Sequence, residues 1–178
     1  MAPVITEPGG TVNITPDKTV LETYIRANDV DSLYEAAKKV DHLISCCGSA
    51  LGLSVEIENT PGYMPLQQSA ALNEVIHDNM RLLCEEDDIV KGVISGASGD
   101  VGDLSYLLPT VQMGFSGVTG SFHSDEFTIT DEENCYINTS KVLGGTILDL
   151  LQNPQLQVTN PHYYKMKEDY LKKWLMFK

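Results

Sequence analysis

A chain of 178 residues with 42% hydrophobic and 21% charged content is long enough for one sizeable domain or two small ones, with the composition of an ordinary folded protein. Twelve Lys plus Arg against 25 Asp plus Glu give a formal net charge of −13, which repels nucleic-acid backbones and anionic lipid and argues against both as partners. No apolar run approaches the ~20 residues that span a bilayer. Met1 leads into Ala2-Pro3-Val4-Ile5-Thr6-Glu7 rather than a basic and then apolar leader, so a cytoplasmic protein is expected.

Residues 1–10 end in Pro8-Gly9-Gly10 without periodicity and are expected to form a mobile leading segment. The β-branched and apolar runs Thr11–Ile14 and Thr19–Arg26, separated by Pro16-Asp17, read as a strand pair or one bent strand. Asp29 then provides a helix N-cap. Val30, Leu33, Ala37, Val40, Ile44, Cys47 and Leu51 follow at helical spacing, and Gly52 provides a stop. The stripe fits a helix lying on a sheet better than a coiled-coil seam, because Ala36, Leu43 and Ala50 widen it. Leu53–Glu58 alternates as a strand does, completing a small β-α-β unit, and Asn59-Thr60-Pro61-Gly62 marks the domain boundary.

The second part, 61–178, opens with a helix whose buried face is Leu72, Val75, Ile76, Met80, Leu83 and Cys84; the run Glu85-Glu86-Asp87-Asp88 closes it as a solvated turn. Ile89–Ile94 and Val111–Phe115 read as short strands and Leu104–Leu108 as a helical turn. Two glycine-rich loops, Ser95–Asp103 and Ser116–Gly120, are of the kind that lets backbone approach a ligand. Thr130 and Glu133 form a capping box opening a helix to about Leu151. Tyr163, Met166, Tyr170, Trp174 and Phe177 lie on one face of a C-terminal helix expected to dock on the body. Alternating strands and helices place the chain in the α/β or α+β class.

Cys46, Cys47, Cys84 and Cys135 show no Cys-x-x-Cys spacing and are expected to be reduced, mostly buried thiols. Cys46 and Cys47 would point about 100° apart on a helix, which argues against a joint site. Of the histidines, His42, His77 and His162 read as surface or packing residues, whereas His123 follows a glycine-rich turn and precedes Ser124-Asp125-Glu126-Phe127. A neutral imidazole there suits a metal ligand or general base.

The stretch Ser98-Gly99-Asp100-Val101-Gly102-Asp103-Leu104-Ser105-Tyr106, followed about twenty residues on by His123-Ser124-Asp125-Glu126-Phe127, resembles the C-terminal half of the metal-dependent amidohydrolases that include aminoacylases, glutamate carboxypeptidases and aminobenzoyl-glutamate hydrolases. Asn13-Ile14-Thr15-Pro16-Asp17 leading to Arg26, and Pro61-Gly62-Tyr63-Met64-Pro65-Leu66, are similar to that family's lid and its re-entry into the catalytic domain. The resemblance implies an incomplete, phosphorylase/hydrolase-like zinc-peptidase fold. Residues 1–60 would be the second half of an α+β lid or dimerisation domain, and 61–178 the C-terminal part of an α/β catalytic domain. It implies that His123 binds one of two zinc or other divalent ions, that Asn13 and Arg26 bind substrate, and that Ser98 and Asp100 belong to an active-site loop. A guanidinium suits a carboxylate bidentately, which agrees with the role implied for Arg26.

The implied reaction is hydrolysis of the amide of an N-acyl amino acid or dipeptide-like substrate by a metal-activated water. The family's other ligands and its glutamate base lie before the lid and have no counterpart here. A zinc site needs at least three protein donors, so the chain alone is expected to bind metal weakly and to be inactive, with no catalytic residue of its own. The alternative is a non-catalytic binding or dimerisation module, with homo-oligomers formed through the lid and its long helix.

Overall fold

The computed structural model describes residues 3–93, 99–153 and 163–175. Within them the architecture mixes helices with small antiparallel sheets, which is the α+β class in general. Val4–Glu7 forms strand β1, so this part of the leading segment, expected to be mobile, is paired in a sheet. It pairs antiparallel with β2, Val20–Glu22, in the register Val4 to Glu22 and Ile5 to Leu21, and an irregularity then sets Glu7 opposite Val20. The expected strand over Thr11–Ile14 is instead a turn closed by Ile14 N–H donating to the Thr11 carbonyl.

The long helix α1 spans Val30–Ala50. Asp29 caps it, accepting from the Ser32 N–H and hydroxyl at 2.7 Å each, which satisfies one of the orphan donors every helix start carries. At the other end Gly52, in the left-handed region at φ 70°, lets its N–H reach the Ser49 carbonyl and the Leu53 N–H reach the Gly48 carbonyl. These two bonds are the Schellman pair that ends a helix at glycine. Leu33 and Ala37 are buried and Val30, Val40 and Ile44 half-buried, as the stripe predicts, but Cys47 and Leu51 are exposed.

Residues 53–58 form no strand and so complete no β-α-β unit. The segment turns back at Gly48, where Val55 packs, and Asn59 Nδ2 donates to Asp41 at 2.6 Å. Alternation in 53–58 is a face preference, and a strand also needs a ladder partner, which none of the described residues provides. The same holds for 89–93 and 111–115, which are likewise irregular.

Helix α2, Ala70–Met80, is capped by Ser69 and packs on the later helix α4, Thr139–Gln152. Gly145 permits the close approach: a Cβ there would lie 2.0 Å from Asn79 Oδ1. Asn79 is buried, and its amide donates to the Val75 carbonyl at 3.0 Å and to Asp149 at 2.7 Å, so both donors are satisfied. The acidic run after α2 is solvent-exposed as predicted, with one addition: Glu86 gathers His77, Arg81 and Lys91 around its carboxylate. Lys91 first, and then His77, hold the Glu86 carboxyl below its ordinary pKa, against a smaller opposing effect of burial.

Helix α3 covers Asp100–Leu104. Strands β3, Val118–Thr119, and β4, Thr128–Ile129, form a two-stranded ladder. A π-helical turn, Glu133–Asn138, runs directly into α4. The side chain capping this start is Asp131 rather than Thr130: it accepts from the Asn134 N–H and side-chain amide, which lowers its carboxyl pKa. Helix α5, Tyr163–Leu175, follows. Phe177 lies outside the described residues, as do the side chains of Tyr163 and Trp174.

The main core cluster is Leu33, Met64, Tyr106 and Tyr170, with Ile25, Ala27 and Val30 packed against it. It is small for the chain length. The accessible surface is 13426 Å², against roughly 8,600 Å² for a compact monomer of this size. Exposed apolar side chains include Leu143, Ile147, Leu148 and Leu151 on the outward side of α4. The cysteines also depart from expectation. Cys46, Cys47 and Cys84 are exposed and only Cys135 is half-buried, because the core does not extend to the C-terminal ends of α1 and α2. No helix is long and apolar enough to cross a membrane among the described residues.

Candidate functional site

Three segments that are far apart in sequence meet at the N-terminus of α1. The first is the extended stretch before the helix, where Ile25 and Ala27 turn into the core and leave Arg26 between them exposed. The second is Gly62–Gln67. The third is α3 with Ser105 and Tyr106, and α5 closes the group from above.

The contacts that bind them are specific. Asp103 accepts from the Met64 N–H at 2.9 Å with one oxygen and from Lys167 Nζ at 2.7 Å with the other. Ser105 Oγ donates to the Gly102 carbonyl at 2.5 Å and accepts from the Gln67 N–H at 3.0 Å. The Gln67 amide donates to the Asn28 carbonyl at 3.0 Å, and the Tyr170 hydroxyl donates to the Gly62 carbonyl at 3.2 Å. Gly102 lies directly against Met64, so that a Cβ would fall 2.0 Å from the Met64 carbonyl oxygen.

Between these elements is a cavity of about 460 Å³, within the range of small-molecule sites. Asp29, Asp31 and Asp169 line it together with Ser105, Tyr106 and Tyr170, and among the described residues no basic side chain does. The Asp29 carboxyl is held below its ordinary pKa by the Ser32 N–H and then the Ser32 hydroxyl. Burial pushes the Tyr106 phenol up, with nearby Asp29, Tyr170 and Asp103 adding to the effect and a hydrogen bond with Gln67 opposing it. The cavity is therefore an acceptor-rich, anionic cleft with neutral phenols in its wall. It would disfavour a carboxylate ligand.

The raised Tyr106 pKa gives a signed prediction. A group more acidic unfolded than folded favours the native state below its unfolded pKa and loses that contribution as pH rises toward the folded value. The window opens near pH 10, the ordinary tyrosine value. Thermal melting followed across alkaline pH should fall more steeply for the native chain than for Tyr106→Phe. Parallel curves would show that Tyr106 does not titrate with unfolding.

The residues singled out from sequence are spread over the molecule. Arg26 adjoins the cleft region, its guanidinium 5.5 Å from the Tyr24 ring centroid. Asn13 is exposed in the 11–14 turn. Asp100 is exposed in the first turn of α3, and Ser98 lies outside the described residues. His123 is exposed in the β3–β4 connection at φ 66°, an unusual conformation for a non-glycine residue, and it is not part of the cavity wall.

No group of three or more His, Cys, Asp or Glu side chains is placed to hold a metal among the described residues. Among the described residues, the donors therefore do not by themselves fit the two-ion centre that the resemblance implies. Sequence reading missed the cavity wall, because Asp29 reads as a cap and Tyr170 as one point on a docking stripe. Compared with known proteins, the chain matches no family model, no curated protein and no solved structure.

Proposed function

We propose that the chain is a C-terminal portion of a metal-dependent amidohydrolase acting on N-acyl amino acids or dipeptide-like substrates. It supplies one metal donor, His123, and substrate-carboxylate recognition through Arg26 and Asn13, which stand exposed outside the wall of the anionic cleft. The observation that supports this reading is the convergence of three of the sequence motifs in space: the Asp103, Ser105 and Gly102 contacts join the Gly99–Tyr106 loop to residues 64–67, and the Gln67 amide bonded to the Asn28 carbonyl, with Ile25 and Ala27 packed on the core, brings in the Arg26 stretch. Amide hydrolysis then needs further donors from other polypeptide, since a catalytic zinc takes at least three protein ligands.

A guanidinium meets a carboxylate with two parallel N–H bonds, which an ammonium cannot reproduce. Calorimetric titration of the chain with N-acetyl amino acids should give binding that Arg26→Lys weakens about tenfold, equivalent to ~1.4 kcal/mol, and that Asn13→Ala also weakens. Binding unchanged in both variants, or turnover by the chain alone, would count against the reading.

A second reading, a non-catalytic pairing module, is favoured by the apolar outward side of α4, where Leu143, Ile147 and Leu151 share one face. Sedimentation showing only monomer at all concentrations would remove it.

A further inference from the structure

Helix α4 buries one side against α2 and leaves the other open. Val142 and Thr146 are buried and Asp149 is turned to Asn79, whereas Leu143, Ile147, Leu148 and Leu151 point away from that contact. With Tyr136 and Ile137 in the turn before, these side chains are between 46% and 70% exposed. Gly144 lies among them, and a Cβ built there meets nothing within 4 Å. None of these positions carries a charge, and Lys141 at the rim is held by Glu133 at 3.4 Å. The exposed apolar side chains present on the order of 600 Å² per chain, so two such faces set together would bury roughly 1,200 Å², the lower end of the range for specific protein pairs.

We propose that a second copy of this chain covers the open side of α4, the two helices crossing antiparallel near Gly144 about a two-fold axis, a contact that rests on the pairing reading above and gives it a partner. A two-fold pair sets one patch against itself. For a chain of net charge −13 most such self-contacts would oppose carboxylates, and this face is one that does not. An unlike partner would be selected through charged groups, and the face offers none. Without a side chain at Gly144 the helix axes can approach to the lower part of the roughly 8–10 Å range of packed helices, where Leu143, Ile147 and Leu148 of one copy fill the grooves of the other. The antiparallel arrangement also sets each helix N-terminus beside the other copy's C-terminus, which the helix dipoles favour.

Sedimentation equilibrium of the whole chain tests this. A monomer–dimer equilibrium with a dissociation constant on the order of micromolar is expected for so small an area. Ile147→Glu sets like charges against each other in the contact and should weaken the dimer about a hundredfold or more. Leu21→Glu, at a similarly exposed apolar residue of β2, should dimerise as the native chain does. Gly144→Ala should weaken the dimer about fivefold by overpacking the crossing, while the monomer stays as stable or gains, because alanine is the better helix former where space is open. Unchanged far-ultraviolet circular dichroism is the folding control for each variant. Hydrogen exchange of the native chain needs no substitution: amides of α4 should slow as concentration rises and those of α1 should not. Monomer at all concentrations overturns this contact together with the pairing reading. A dimer that persists in Ile147→Glu, that is as tight in Gly144→Ala, or that leaves α4 exchange unchanged overturns the α4 contact and leaves the pairing reading standing.

Discussion

Gly102→Ala is expected to destabilise the chain by about 2–3 kcal/mol, the cost of overpacking a tight contact. The sign is the informative part. In an exposed helix the same substitution gains roughly 0.5–1 kcal/mol, because alanine loses less backbone freedom on folding than glycine. Gly102 lies within α3, but its missing Cβ is where the Met64 carbonyl oxygen sits, 2.0 Å from the position the methyl would take. A carbonyl on the main chain cannot rotate aside as a side chain could. To admit the methyl, α3 must move off the Gly62–Gln67 segment, which stretches the Asp103 and Ser105 bonds to Met64 and Gln67. Urea unfolding monitored by circular dichroism measures the change, and a neutral or stabilised variant would show that the two backbones do not abut.

Met64→Ala should cost about 3 kcal/mol, within the 2–5 kcal/mol span for truncating a large buried apolar side chain. Met64 is 2% exposed and sits among Leu33, Tyr106 and Tyr170, so it links α1, the α3 region and α5. Its truncation would also enlarge the adjoining cavity. Met64→Leu, close in volume, should cost less than about 1.5 kcal/mol. A Leu variant as damaged as the Ala variant would point to a role for the thioether beyond packing. Equilibrium unfolding of both variants separates the two.

The parts of this fold that sequence made legible are those set by nearest neighbours. Asp29 capping α1 and Gly52 ending it are decided within five residues of each terminus, and both appear where the local pattern places them. The strands are another matter. Leu53–Glu58 has the alternation of a strand and Val4–Glu7 has only four residues between Pro3 and Pro8, yet the second pairs and the first does not. Pairing depends on what lies alongside, and β2 lies beside β1.

The candidate site divides in the same way. The cleft needed three segments to be folded onto one another before its carboxylates could be seen together. Asp103, by contrast, stood inside a motif already marked, and its part in holding Met64 and Lys167 depends on contacts 39 and 64 residues away.

The apolar outward side of α4 has a consequence for how the protein behaves in concentrated solution. A charge of −13 keeps molecules apart only across the range over which it is felt. That range is about 30 Å at 0.01 M salt and about 8 Å at 0.15 M. Added salt thus withdraws the long-range repulsion while leaving the adhesive leucine and isoleucine face untouched, and colloidal stability should be greatest in dilute buffer.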